Sequence, residues 1–185
     1  MVKKIAIGLL AAVALAIVVV LGIAATKPDT IHVERSRVVQ ATPAAVAPFA
    51  SDYTRFTTWI PWTALDPDQH VEFSDPPAGV GAWYTWSGDE NVGSGRMELL
   101  SLSESPTEFE AVHQLEFIEP WPSVARSTLR AEALDDARIE LTWSLDQDAD
   151  FGTKVMLVFL DMDAMIGADF EAGLDELAQL VETKS

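Results

Sequence analysis

The sequence predicts an α+β fold: a curved antiparallel sheet packed on one long C-terminal helix, preceded by an N-terminal transmembrane helix. Three observations carry that reading. Residues Ile5 to Ala25 form 21 consecutive positions without a charge, nearly all Ala, Val, Leu, Ile or Gly. Between His70 and Gln147 the apolar residues alternate with a period of two, in segments joined directly by turn residues. From Val155 to Glu182 the apolar spacing becomes helical.

The first segment comes first in the chain and in the argument. At about 1.5 Å per residue, a helix over residues 5–25 covers roughly the 30 Å hydrocarbon core of a bilayer. Lys3 and Lys4 precede it and Lys27 follows, each within reach of headgroups. A cleaved signal peptide is the competing reading, but its apolar core usually runs about 7–15 residues. Residues 1–27 are therefore read as an uncleaved anchor with its linker, and residues 28–185 as the folded domain. The two lysines nearest the span place the N-terminus inside and the domain outside the cytoplasm.

Within the domain, Ile31 to Gln40 is β-branched and reads as a strand. Thr42-Pro43 reads as a helix N-cap followed by proline in the first turn, opening a short helix to Ala50. A second short helix is expected over Tyr53 to Trp59, stopped by Pro61. Six strands follow: His70 to Ser74, Val80 to Ser87, Gly95 to Ser103, Glu108 to Glu119, Ser123 to Leu134 and Ala137 to Gln147. Short turn-bearing gaps such as Asp75-Pro76-Pro77 and Asp135-Asp136 imply hairpins and antiparallel pairing. Each strand has one dry face. In the fifth it is Phe109, Ala111, His113, Leu115 and Phe117; in the sixth it is mostly Ala and Ser, with Leu129; in the last it is Ile139, Leu141, Trp143 and Leu145. In the terminal stretch Ile166, Phe170, Leu174, Leu177 and Val181 share a stripe, with Gly167 as the expected break between two helices. That amphipathic helix is the long element available to cover the dry face.

Composition narrows the function classes. Apolar residues make up 49% and charged residues 22%, which is globular. The absence of cysteine excludes disulfides, thiolate metal sites and a cysteine nucleophile. The 29 acidic and 12 basic residues give a net charge of −17, and residues 28–185 alone carry −20. A field of that sign repels phosphate backbones, so no nucleic acid is expected as a partner. The run Asp146-Gln147-Asp148-Ala149-Asp150-Phe151-Gly152 fails as a calcium loop, because Phe151 and Leu157 stand where glycine and a bidentate glutamate are needed. Asp161 and Asp163 lie two apart on a helix and point in different directions. No phosphate loop, zinc-helix motif or serine elbow is present, so neither metal nor cofactor is expected.

The chain resembles the SRPBCC superfamily, which includes the START-like, birch-pollen-allergen-like and polyketide cyclase/dehydrase families, and in particular its small bacterial members with a membrane helix. The carriers are Trp59-Ile60-Pro61-Trp62, the run Gly79-Val80-Gly81-Ala82-Trp83-Tyr84-Thr85-Trp86-Ser87-Gly88, Val92-Gly93-Ser94-Gly95, and the stretch from Asp161 to Leu174. The resemblance covers roughly residues 31–183. It implies a helix-grip fold with an elongated apolar cavity between sheet and helix, and it carries over no catalytic residue. Since the superfamily spans carriers, receptors and cyclases, fold alone does not fix the chemistry.

Strand alternation and helix spacing then nominate the cavity wall: Trp143, His113, Phe117, Leu129 and Phe170, with Ala125 on the small-residue wall. Trp83 and Trp86 fall on opposite faces of one strand, so only one of them faces inward. Trp121, between two prolines, is the candidate for a mouth at the membrane interface. His113 reads either as a hydrogen-bonded core residue or as a group that anchors a carbonyl or moves a proton. His32 and His70 are read as surface residues. The leading expectation is a membrane-tethered module binding an apolar small molecule or lipid. Its rivals are a polyketide cyclase-like enzyme and an interaction domain whose cavity is filled by its own side chains.

Overall fold

A computed structural model describes residues 2–182, with side chains from Lys4 onward. Met1 and residues 183–185, the outermost positions of the expected anchor and domain, lie outside the described residues. Helix α1 (Val2–Ala25) is the apolar segment, and Lys4–Ala25 is long and apolar enough to cross a membrane. Strand β1 (Thr30–Val39) follows after a four-residue linker.

Three short helices come next: α2 (Pro43–Ser51), α3 (Tyr53–Phe56) and α4 (Trp62–Leu65). Thr42 occupies the N-cap of α2 with an extended backbone, but its side chain makes no capping hydrogen bond. Asp52 does cap α3, accepting from Thr54 N–H, and the helix stops at Phe56 rather than Trp59. The strands are β2 (His70–Phe73), β3 (Trp83–Ser87), β4 (Ser94–Glu104), β5 (Glu108–Glu119), β6 (Ser123–Ala133) and β7 (Ile139–Asp148). Strand β3 begins at Trp83 instead of Val80. Gly79 and Gly81 adopt φ of 90° and 87°, a left-handed backbone that suits glycine and breaks the extended run.

All seven strands form one antiparallel sheet in the order β1-β7-β6-β5-β4-β3-β2. It is a meander from β2 to β7, closed on its far edge by β1. Irregularities at Ser94/Gly95 and Leu99/Ser101 bend the β4–β5 pair. The register sets Thr30 beside Asp148, Ser123 beside Phe117, Ser94 beside Glu119, and Ser87 beside both Ser94 and His70. These residues mark one end of the sheet, the end reached from α1.

Helix α5 (Phe151–Met156) and helix α6 (Met162–Val181) complete the chain. The break between them falls at residues 157–161, not at Gly167. Asp150 caps α5 through Thr153 N–H, and Asp161 caps α6 through Ala164 N–H, so two of the acids in the rejected metal motifs serve as helix caps. Gly167 lies inside a continuous helix, where its missing side chain makes room for the Arg35 guanidinium. Arg35 in turn pairs with Asp163 and Glu171 across α6. Helix α6 lies over β1 and β7, and α2 over β5 and β6. One apolar core fills the space between, with Phe170, Leu174, Leu177 and Val181 of α6 among its buried residues.

Candidate functional site

The concave face is not filled evenly. Between the sheet and the first half of α6 lies a cavity of about 290 Å³. Trp86, Leu115, Phe117, Trp143 and Leu145 form its sheet side, and Met162, Ile166 and Phe170 form its helix side. Phe56, Trp62 and Tyr84 close it laterally. The polar part of the wall is Thr57, Thr63, Gln69, Asn91 and Ser127, and no carboxylate, histidine, lysine or arginine borders it among the described residues.

Large rings keep this space open because they are held at fixed positions. The indole of Trp143 stacks on Phe170, with centroids 4.2 Å apart and planes 8° from parallel. Trp59 and Trp62 meet it edge-on at 4.9 and 5.7 Å. Two glycines permit this: a Cβ on Gly173 would come within 2.7 Å of the Trp143 ring, and one on Gly95 within 2.3 Å of the Trp86 ring. The indole N–H groups are paired as burial demands. Trp143 donates to Ser127 Oγ at 2.9 Å, Trp59 to the Phe49 carbonyl at 3.0 Å, Trp62 to Asp169 at 3.1 Å and Trp86 to the Val92 carbonyl at 3.4 Å.

Of the residues nominated from sequence, Trp143, Phe117, Phe170 and Trp86 come together on this wall. The other four do not border it. Trp83 is on the opposite face of β3, where its ring lies under the Arg96 guanidinium at 5.4 Å. Ala125 is buried and does not border the space, whereas its cross-strand partner Leu115 does. Leu129 is inward and buried beside Trp143, its cross-strand partner, whose indole reaches toward Ser127. His113 is also inward and 1% exposed.

The surroundings of His113 are those of a sealed core residue. Its Nδ1 shares a hydrogen bond of 2.9 Å with the Tyr53 hydroxyl, and its Nε2 has no partner. The ring of Phe56, which does line the cavity, stands 5.5 Å from it. Desolvation pushes its pKa down to about 3, so the imidazole is neutral at physiological pH. Burial likewise raises the phenols of Tyr53 and Tyr84 well above their ordinary range.

Leu145, Trp62, Tyr84, Val71 and Met97 also line the wall, beyond the residues nominated from sequence. Alternation on β7 puts Leu145 on the face of Trp143. No local pattern points to Gln69, Asn91 or Thr63, which reach the cavity from loops and a single helical turn.

This architecture is shared with solved proteins at low sequence identity. A hypothetical protein from Helicobacter pylori superposes with a TM-score of 0.61 at 13% identity, covering 85% of this chain and 90% of that one. Norcoclaurine synthase from Thalictrum flavum, solved in complex with dopamine and hydroxybenzaldehyde, gives 0.58 at 13% identity, over 84% and 89%. Ginseng major latex-like protein 151 from Panax ginseng gives 0.55 at 7% identity, over 83% and 99%. These likenesses bear on the fold alone. No curated protein matches the sequence. At the level of sequence, residues 30–182 match one family profile, and the chain belongs to that family, described as polyketide cyclase / dehydrase and lipid transport.

Proposed function

We propose that this protein is a membrane-tethered binding module that holds an apolar small molecule or a segment of a lipid chain between its sheet and α6. In this reading residues 1–27 anchor it and residues 28–185 form the binding domain, held outside the cytoplasm. The observation that carries the proposal is the cavity itself: about 290 Å³ of space walled mainly by aromatic and aliphatic side chains. That volume stands just below the roughly 300–1,000 Å³ found for small-molecule sites. It suits a compact, flat molecule or one acyl segment better than a whole two-chain lipid. Burial of apolar area at about 25 cal/mol per Å² would supply affinity, and the side-chain amides of Gln69 and Asn91 would set orientation. The neighbour crystallised with two small aromatic molecules supports the same size class.

A cyclase-type enzyme, with His113 as the proton-transfer group, finds less support. His113 is walled off by Phe56 and held neutral, and the cavity wall offers no carboxylate or imidazole to replace it. The test is native mass spectrometry of the full chain released from membranes. We expect an added mass of a small apolar compound on the wild type. Leu115→Trp, which projects a ring into the void, should lose that mass while melting like the wild type. Equal occupancy in both, or the bare protein mass in both, would remove the cavity reading.

A further inference from the structure

We infer that the cavity mouth is seated on the bilayer, with an apolar rim of the domain docked into the leaflet in which α1 ends. The occupant of this rim is a zwitterionic lipid surface.

The argument begins with the tether. Lys4–Ala25 is 22 residues, about 33 Å of helix against a hydrocarbon core of about 30 Å, so Ala25 sits near headgroup level when α1 spans. Only residues 26–29 separate it from Thr30, the first residue of β1. Fully extended, that linker reaches less than roughly 18 Å. It is not free to extend. Ala24 is completely buried, α5 packs on α1, Lys154 pairs with Asp29, and Ala149 N–H donates to the Asp29 carbonyl. The sheet end that contains Thr30 is therefore the membrane-proximal end.

What that end exposes is the second observation. The three most exposed aromatic side chains of the domain are Phe159 (70%), Trp121 (69%) and Phe151 (51%). All three are there. Phe159 lines a groove with Lys27, Pro28 and Thr30; Phe151 opens α5, just after the end of β7; Trp121 sits in the β5–β6 turn between Ile118 and Val124, both more than half exposed. Large apolar side chains gathered in this way mark a contact surface, and tryptophan favours the interfacial zone.

The third observation joins rim to cavity. Met162 lines both the groove against the tether and the cavity. Asn91 is exposed and Ile166 half-buried, and with Met162 they form the accessible side of the cavity at this same end. A ligand that partitions into the bilayer would then pass into the cavity without crossing water. This last step rests on the binding half of the proposed function; the docking rests on its tether alone. Asp146, Asp148, Asp150 and Asp161 flank the rim, so docking depends on apolar insertion and the tether rather than on charge, and an anionic leaflet would oppose it.

The chain has no cysteine, so a single introduced thiol is a unique label site. Full-length Phe159→Cys, Trp121→Cys and Asp136→Cys, each carrying a bimane fluorophore, would be reconstituted into phosphatidylcholine vesicles containing doxyl-labelled lipid. Asp136 lies in the exposed β6–β7 turn at the opposite end of the sheet. We expect quenching at 159 and 121 at least twofold greater than at 136. Equal quenching at all three positions overturns the docking. Native mass spectrometry on the same preparations separates the two ideas: quenched rim labels with no bound compound leave the docking standing and sink the binding reading. A bound compound with unquenched labels does the reverse.

Discussion

The two ends of the sheet are built from the same strands with the same alternation, yet one is solid and the other hollow. At the end remote from α1, Phe109, Ala111, Ala131, Ile139 and Leu141 are at most 1% exposed and belong to one core with Val46 and Ala50 of α2 and with Leu174, Leu177 and Val181 of α6. Small and large residues interlock there, as close packing requires. Toward the end beside α1 the inward residues are Trp86 and Phe117, with Trp143 and Phe170 at mid-sheet, rigid rings fixed by edge-on and stacked contacts and by indole hydrogen bonds. Rings locked against one another cannot collapse into the space between them. The difference teaches that inward orientation and cavity lining are separate properties: the first follows from parity along a strand, the second from whether neighbouring side chains can close the gap.

The sharpest way to break that contrast is to place one charge at each end of α6. Leu174 is 1% exposed in the solid half, and Leu174→Asp leaves an unpaired charge in the core. That should cost about 4 kcal/mol or more and unfold a domain of ordinary stability. Ile166 is only half-buried at the cavity mouth, and Ile166→Asp should cost about 1–2 kcal/mol, because the carboxylate can reach water. Thermal melts by circular dichroism measure both. Similar losses at the two positions would mean that the halves are packed alike.

His113 sits at the seam between the halves, and its titration tests whether the seam is dry. Unfolded, the imidazole titrates near 6.5; folded, desolvation holds it near 3. The unfolded chain therefore takes up a proton that the native state refuses. The stability that this group contributes is whole above about pH 6.5 and falls as pH drops toward 3, with a slope approaching about 1.4 kcal/mol per pH unit. Asp163 and Asp29, whose carboxylates Arg35 and Lys154 hold below their usual range, are also lost on acidification, but only below about pH 4. Denaturant titrations of wild type and His113→Gln between pH 7 and 4.5 should diverge in slope over that interval. Parallel curves would mean that cavity water reaches the imidazole.

Much of the fold was legible in the sequence, because period-two alternation and helical spacing are direct images of strand and helix geometry. The seven strands, their succession along the chain and the stripe on α6 follow from it, whereas the pairing of β1 with β7 does not. Element ends were less legible: β3 starts late because of two left-handed glycines, and α3 stops early because Asp52 begins it and three turn residues finish it. At the site, parity identified the inward face but not the depth of the void along it. Trp143, Phe117, Phe170 and Trp86 meet at the cavity, whereas His113, Leu129 and Ala125 share the inward face without bordering it. That depth depends on ring stacking between β7 and α6, a contact between segments far apart in the chain, and no local pattern records it.

The smallest expected effects come from two glycines on α6, and they separate the halves by what each glycine faces. Alanine is favoured over glycine in a helix by about 1 kcal/mol, so each Gly→Ala change starts from a gain. At Gly173 the new methyl meets the Trp143 ring at 2.7 Å, and that ring is stacked on Phe170 and bonded to Ser127. The ring has nowhere to retreat without opening the stack. Overpacking of this kind costs about 1–3 kcal/mol, so Gly173→Ala should be destabilising by about 1 kcal/mol net and should alter tryptophan near-ultraviolet dichroism. At Gly167 the overlap is closer still, 2.0 Å from the Arg35 guanidinium. Here the obstacle is the far end of a flexible side chain whose partners, Asp163 and Glu171, are exposed carboxylates. Arg35 can swing outward, giving up screened ion pairs that contribute little. Gly167→Ala should therefore melt within about 3 °C of the wild type. It should also flatten the salt dependence of stability and leave the tryptophan dichroism unchanged. A larger loss at Gly167 than at Gly173 would mean that the aromatic stack yields more easily than the arginine, and the rigid rings would no longer explain the cavity.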